Sequence, residues 1–240
     1  MKLSAPLFRL KRQARLLSRE EGIPLNKALD RIAAGEGFRS WSQLAAKVAR
    51  DHRPGAGLFA QLEPGDLVLL GARPGQGKTL LGLELLLEAA KAGRKGTFFT
   101  LDYHAEDVAQ RLRSMGGEPE AAGRDFALDT SDGICADHIV GRMRGAPRGT
   151  LSVIDYLQLL DQRRDRPALA EQLRALKAFT VASGQIAVLI SQIDRTFDAR
   201  GSGLPGLADV RLPNPVDLTL FTKCCFLHEG EISLEEVRAA

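Results

Sequence analysis

Residues Gly71-Ala72-Arg73-Pro74-Gly75-Gln76-Gly77-Lys78-Thr79 spell the phosphate-binding pattern G-x-x-x-x-G-K-[ST]. The pattern stands between an apolar run, 66–70, and a helical one, Leu80 to Ala92. A Gly-rich turn from strand to helix lets successive backbone N–H groups close around a phosphate, and the helix N-terminus adds partial positive charge at the same point. Residues 71–79, extended to Leu80, are therefore the expected nucleotide-binding segment. Lys78 is expected on the β- and γ-phosphates and the Thr79 hydroxyl on Mg²⁺. The implied ligand is a nucleoside triphosphate with its magnesium. The same strand–loop–helix requirement restricts the fold to the α/β class.

The chain downstream agrees with that class. Strands are expected at 66–71, 97–102, 125–129, 150–155, 186–191, 217–221 and 224–228, and helices at 79–92, 104–115, 136–144 and 167–183. Alternation of the two at this spacing implies a mainly parallel sheet flanked by helices. No apolar stretch is long enough to span a bilayer, so no membrane contact is expected. The basic N-terminus lacks the apolar block of a signal peptide, and three cysteines make no disulfide framework, so a cytoplasmic protein is expected. Cys224 and Cys225 lie in one strand, so one of them is expected to face the core. No C-x-x-C or paired-His spacing supports zinc.

Charge is divided unevenly. Residues 1–54 hold 12 Lys/Arg against 5 Asp/Glu, whereas the remaining residues hold 21 against 25. A basic segment on a mildly acidic body points to an anionic partner, or to a face that serves only solubility. Residues 1–50 read as a small helical module rather than a tail. Leu7, Leu10, Ala14 and Leu17 share one face of a first helix, Pro24 suits the start of a second, and Ser40 with Gln43 forms a capping-box pattern for a third. Asp51 to Gly57, with Pro54, Gly55 and Gly57, reads as a linker, followed by a second domain over 58–240.

A second chemical signal is Leu151-Ser152-Val153-Ile154-Asp155, an apolar strand ending in a carboxylate. A phosphate-loop protein needs such a carboxylate to hold magnesium opposite Thr79, so Asp155 is the expected second metal-site residue.

Three segments together, 71–79, Asp155-Tyr156-Leu157-Gln158-Leu159 and Ser191-Gln192-Ile193-Asp194-Arg195, resemble the ATPase domain of DnaB-type replicative DNA helicases. Ala208-Asp209-Val210-Arg211 adds to the likeness, which covers about residues 56–230 and leaves out 1–50. The resemblance implies a RecA-like core, ATP as the nucleotide, and a homo-oligomer with the ATP site between subunits. It also implies a γ-phosphate sensor at Gln192, and single-stranded DNA held by the loop from Asp194 to Pro215 through Arg195, Arg200 and Arg211. Spaced arginines among Gly201, Gly203 and Gly206 suit backbone contact without sequence preference.

Two departures stand out. The family places a catalytic glutamate after its second strand, where this chain has Asp102, one methylene shorter. Misplacing a base by about 1 Å can cost on the order of a hundredfold in rate. Glu106, a turn further on, is a possible substitute, and Asp102 could instead cap the following helix. Beyond His228 twelve residues remain, four of them acidic, with Arg238 the single basic one, and no family-type arginine finger is recognisable. Two readings follow: a motor ATPase using Lys78, Asp102, Asp155 and Gln192, or a hydrolysis-poor ATP-dependent switch whose N-terminal helices hold a partner. A recombinase-like relative would share the same core.

Overall fold

A computed structural model describes residues 3–5, 7–51, 54–115, 117–161, 166–200, 204–211 and 216–237. The chain divides into two units: Met1–Arg53 with Ser114–Gly116, and Pro54–Arg113 with Gly117–Ala240.

The first unit contains α1 (Leu7–Glu20), α2 (Leu25–Gly35) and α3 (Trp41–Asp51). Its centre is Leu10, Ala33 and Leu44, with Leu7, Phe38 and Trp41 packed against them. Gly37, at φ +84°, carries the chain out of α2. Ser40 Oγ then accepts from the Gln43 N–H at 3.3 Å and Gln43 Oε1 accepts from the Arg39 N–H at 2.9 Å, so the two ends of α3's first turn are tied reciprocally.

In the second unit, β1 (Leu67–Ala72), β2 (Gly96–Thr100), β3 (Ala127–Asp129), β4 (Leu151–Asp155), β5 (Ile186–Gln192), β6 (Lys223–His228) and β7 (Glu231–Glu236) form one sheet in the order β3-β2-β4-β5-β1-β6-β7. All pairs are parallel except β6–β7. The expected α/β core is present. Buried on both faces, β1, β2 and β4 read as continuous apolar or small-residue runs rather than alternating ones.

The helices of this unit are α4 (Pro54–Phe59), α5 (Lys78–Lys91), α6 (Ala105–Ser114), the short α7 (Ala121–Arg124), α8 (Ala136–Met143) and α9 (Leu169–Ser183). Residue parity shows the two layers. Leu67, Leu69, Ile154 and Leu189 pack with Ile139 and Met143 of α8 and Leu173 and Leu176 of α9. Their strand neighbours Val153 and Ile190 meet α5, where a Cβ on Gly82 would lie 2.9 Å from Val153 Cγ1 and 3.0 Å from Ile190 Cδ1.

Three segments differ from the sequence expectation. Pro54–Phe59, read in part as a linker, is helical, with Gly55 buried and its N–H on Glu84 Oε2 of α5 at 3.0 Å. Residues 217–221, read as a strand, hold a 3₁₀ turn instead, because Asp217 Oδ1 accepts from the Thr219 N–H at 2.9 Å and captures the backbone locally. The acidic stretch after His228 supplies β7, joined to β6 by a two-residue turn in which Glu229 (φ +52°) and Gly230 (φ +85°) are both left-handed. Both Cys224 and Cys225 are buried, not one, since β6 is covered on each side.

Candidate functional site

The candidate site is built at the carboxyl ends of β1, β4, β5 and β2. At Gly71, the last residue but one of β1, nothing larger fits: a Cβ there would lie 2.9 Å from Phe226 Cδ1 and 3.0 Å from Ile193 Cδ1. The loop then turns, with the Gln76 N–H on the Arg73 carbonyl at 3.2 Å. Gly75 (φ +79°) and Gly77 (φ +94°) adopt conformations that L side chains rarely enter. Gly77 immediately precedes α5, and its carbonyl takes the first-turn N–H of Leu81 at 2.9 Å. The loop is thus a strand-to-helix turn whose strained positions are glycines.

Thr79, buried in the first turn of α5, donates its hydroxyl to Asp155 Oδ2 at 2.7 Å. Asp155 closes β4, in register with Thr100 of β2 and Ile190 of β5. Burial pushes its carboxyl above the usual carboxylate range, and the Asp102 charge adds to that. The Thr79 hydrogen bond and the Lys78 and Arg111 cations oppose it. A hydroxyl and a buried carboxylate joined in this way form an all-oxygen pair of few protein ligands. That set suits a magnesium ion that keeps several waters and takes substrate phosphates. Among the described residues no cluster of three or more His, Cys, Asp and Glu offers a dedicated metal cage.

Lys78 is the half-exposed first residue of α5. Asp102 is exposed two residues beyond β2, where its N–H donates to Thr100 Oγ1 at 3.1 Å. It is not the cap of α6. His104 takes that place: its carbonyl accepts the Val108 N–H and its own N–H donates to Asp107 Oδ2 at 2.9 Å. Glu106 is exposed in the first turn of α6.

Gln192 ends β5 opposite Ala72, the last residue of β1. Its carbonyl accepts the Arg211 N–H at 2.8 Å, and Ile193 forms an antiparallel bridge with Val210. Gln158 Nε2 donates to the Arg211 carbonyl at 2.9 Å. The chain after β5 therefore returns to the strand it left, and Arg211 is tied to both Gln192 and Gln158. Arg195 and Arg211 are exposed; the side chain of Arg200, and Gly201 and Gly203, lie outside the described residues.

Further contacts complete the site, some from residues of the expected nucleotide-binding segment and some from residues with no sequence signal of their own, Arg111, Phe197 and His228. Arg111 of α6 acts electrostatically on Asp155 and stacks over the Tyr103 ring at 3.8 Å. Arg73 Nη1 donates to the Ile193 carbonyl at 3.2 Å, and Gln76 Oε1 accepts the Glu229 N–H at 2.9 Å. The two phosphate-loop side chains thus fasten the loop to the segment after β5 and to the β6–β7 turn. Phe197 and His228 meet edge to face at 5.0 Å between ring centroids, so those two segments also touch each other.

Comparison with known proteins gives the same neighbourhood. Residues 59–134 match the family model "ATPase: KaiC". The chain is 30% identical over 202 residues to the replicative DNA helicase DnaB of Haemophilus influenzae, covering 68% of this chain and 43% of the helicase. It is 26% identical over 181 residues to DnaB of Leifsonia xyli subsp. xyli, covering 62% and 40%. The chain thus spans less than half the length of these curated relatives. Among solved structures, a DnaB-like replicative helicase studied with primase superposes with a TM-score of 0.56 at 19% identity, covering 68% of this chain and 47% of the helicase. A KaiC-like protein of Pyrococcus horikoshii OT3 gives 0.53 at 19% identity, covering 73% and 80%. Both structural likenesses speak to the fold.

Proposed function

We propose that this chain, which carries a RecA-like ATPase domain of the DnaB type, is a motor ATPase that couples ATP hydrolysis to binding of DNA. The observation that carries this reading is the Thr79–Asp155 hydrogen bond at the mouth of the glycine turn, beside Lys78. Triphosphate binding would align the loop N–H groups and Lys78 with the phosphates, while the Thr79 hydroxyl and Asp155 hold magnesium between them. The magnesium that Thr79 and Asp155 would hold would supply neutralisation of the charge that develops on phosphoryl transfer. Asp102 would orient the attacking water.

Gln192 supports the coupling. Its side chain stands at the end of the strand beside the phosphate loop, and its carbonyl is bonded to Arg211. A shift at Gln192 on loss of the γ-phosphate would pass directly to Arg211 and to the segment carrying Arg195 and Arg200. Single-stranded DNA is the proposed ligand of that segment, in an oligomer of this chain.

A second reading has an observation of its own. The exposed Asp102 is shorter than a glutamate, and no hydrogen bond holds its carboxylate among the described residues. A water-orienting group so placed favours a slow enzyme, and in the limit an ATP-gated switch. Steady-state hydrolysis with and without single-stranded DNA separates the two. Turnover that rises with DNA and vanishes in Lys78→Ala supports the motor. Tight ATP binding with no turnover in either condition leaves the switch.

A further inference from the structure

The N-terminal unit carries its charge in an ordered way. On α1, Lys11, Arg15 and Arg19 follow one another at i, i+4 and i+8, with Arg12 beside them, and all four are exposed. Leu10 and Ala14, which are buried in the unit's centre, lie across the same helix from Arg12 and Arg19, while Lys11 and Arg15 flank that buried face. Arg31 of α2 is ion-paired with Glu21, but Lys11, Arg12, Arg15 and Arg19 have no acidic partner among the described residues. Like charges four residues apart weaken a helix by about 0.2–0.5 kcal/mol per pair. The row Lys11–Arg15–Arg19 contains two such pairs, with no acidic partner among the described residues to offset them. A polyanion laid along the row would remove that repulsion.

The spacing fits one polyanion in particular. Eight residues of helix span about 12 Å, and one strand of B-DNA presents a phosphate about every 3.4 Å of axis. The row is therefore long enough to meet more than one phosphate of a strand laid along it. Leu16, about half exposed, adds apolar surface beside Arg12 and Arg19. Acidic protein surfaces offer carboxylates without that regular repeat.

We propose that the exposed face of α1 is a second nucleic-acid site, which holds a phosphodiester backbone without reading sequence and without needing ATP. The site does not rest on the motor reading, since none of its residues belongs to the ATPase unit. It would keep the chain on nucleic acid in nucleotide states where the segment after β5 lets go.

The full-length chain tests this with the triple variant Lys11→Gln/Arg15→Gln/Arg19→Gln. Gln matches Lys and Arg in helix propensity, so the circular-dichroism melt is expected to be unchanged or higher. Fluorescence anisotropy is measured on labelled oligothymidine and on a labelled mixed-sequence duplex, across a salt series, with and without ATP. The expected result is a loss on the order of tenfold to a hundredfold at ~0.1 M salt, in both nucleotide conditions. The slope of log affinity against log salt should fall by about 2 to 3. Basal hydrolysis, measured without DNA, should not change. Loss on oligothymidine alone or on duplex alone supports the site and identifies the form it takes. A folded triple variant with unchanged affinity and slope on both probes overturns it, whether the face then serves solubility or an acidic protein. Arg195→Gln/Arg211→Gln is the independent arm: its failure to alter ATP-dependent binding would count against the motor reading and leave the α1 site standing.

Discussion

The main-chain N–H of Glu229 donates to Gln76 Oε1 at 2.9 Å, across 153 residues of chain. Gln76 is a phosphate-loop residue and Glu229 begins the turn between β6 and β7, so the far end of the sheet is fastened to the nucleotide-binding turn by one side-chain amide. The variable positions of a phosphate loop are free to do such work, because the phosphate is gripped by backbone N–H groups.

Gln76→Ala should therefore affect both sites of attachment. One net hydrogen bond is worth about 1 kcal/mol, so the unfolding free energy is expected to drop by about that much, seen as a lower urea midpoint without a change in slope. Affinity for a fluorescent ATP analogue should fall about threefold to tenfold. Lost stability with unaltered nucleotide affinity would show that the contact only braces the hairpin.

Asp155→Asn should raise stability and abolish turnover together. Folding pushes this carboxyl above its ordinary range through burial. Between the unfolded and the folded value the native state holds the extra proton, so stability falls as pH rises through that window and stays lowered at neutral pH. A neutral amide removes the penalty and still offers a carbonyl to the Thr79 hydroxyl. The ligand-free variant is expected to melt higher than wild type at pH 7, with the difference disappearing in acid below the unfolded value. Hydrolysis should be lost, as should the stabilisation by Mg-ATP, which for a ligand at a hundred times its Kd is about 2.7 kcal/mol.

Gly82→Ala sets two effects against each other. Alanine in mid-helix is worth about 1 kcal/mol over glycine. Its Cβ, however, would meet Val153 Cγ1 at 2.9 Å and Ile190 Cδ1 at 3.0 Å, both in buried strands. Overpacking of this kind costs about 1–3 kcal/mol, so net destabilisation is expected in thermal melts. Because α5 begins at Lys78, the displaced helix should also weaken ATP binding.

Cys224 and Cys225 should be inert in the native protein. Burial pushes both thiols up to about 12, so almost no thiolate exists at pH 8. Ellman's reagent is expected to label them only as the protein unfolds. Prompt labelling under native conditions would mean that β6 opens readily.

Much of the core was legible because its signals are local. Val68 to Leu70, Val153-Ile154 and Ala187 to Ile190 are apolar runs that only a doubly covered strand explains, and the glycine turn and Asp155 follow directly from two of them. What escaped depends on partners far away in sequence. Glu231–Glu236 looks like a charged tail until Ile232 and Leu234 are placed opposite Leu227 and Cys225. Pro54–Phe59 has the composition of a linker, yet Gly55 is the residue that allows close approach to Glu84. Arg111, a helix-surface arginine by its sequence, reaches Asp155 only because α6 folds back from the end of β2. In 217–221 the apolar pattern was real, but the local bond of Asp217 to Thr219 outcompeted the ladder.

The bridge between Ile193 and Val210 gives the segment after β5 a property that engineering can use. With its two ends joined at the base, the intervening chain is a cassette whose length is thermodynamically cheap. Doubling a closed loop costs only about 0.6 kcal/mol of additional chain entropy. Foreign sequence could be inserted between those two residues with little strain on the sheet beneath. The base of that cassette, Ile193, stands one peptide unit from Gln192, the proposed sensor of the nucleotide's state.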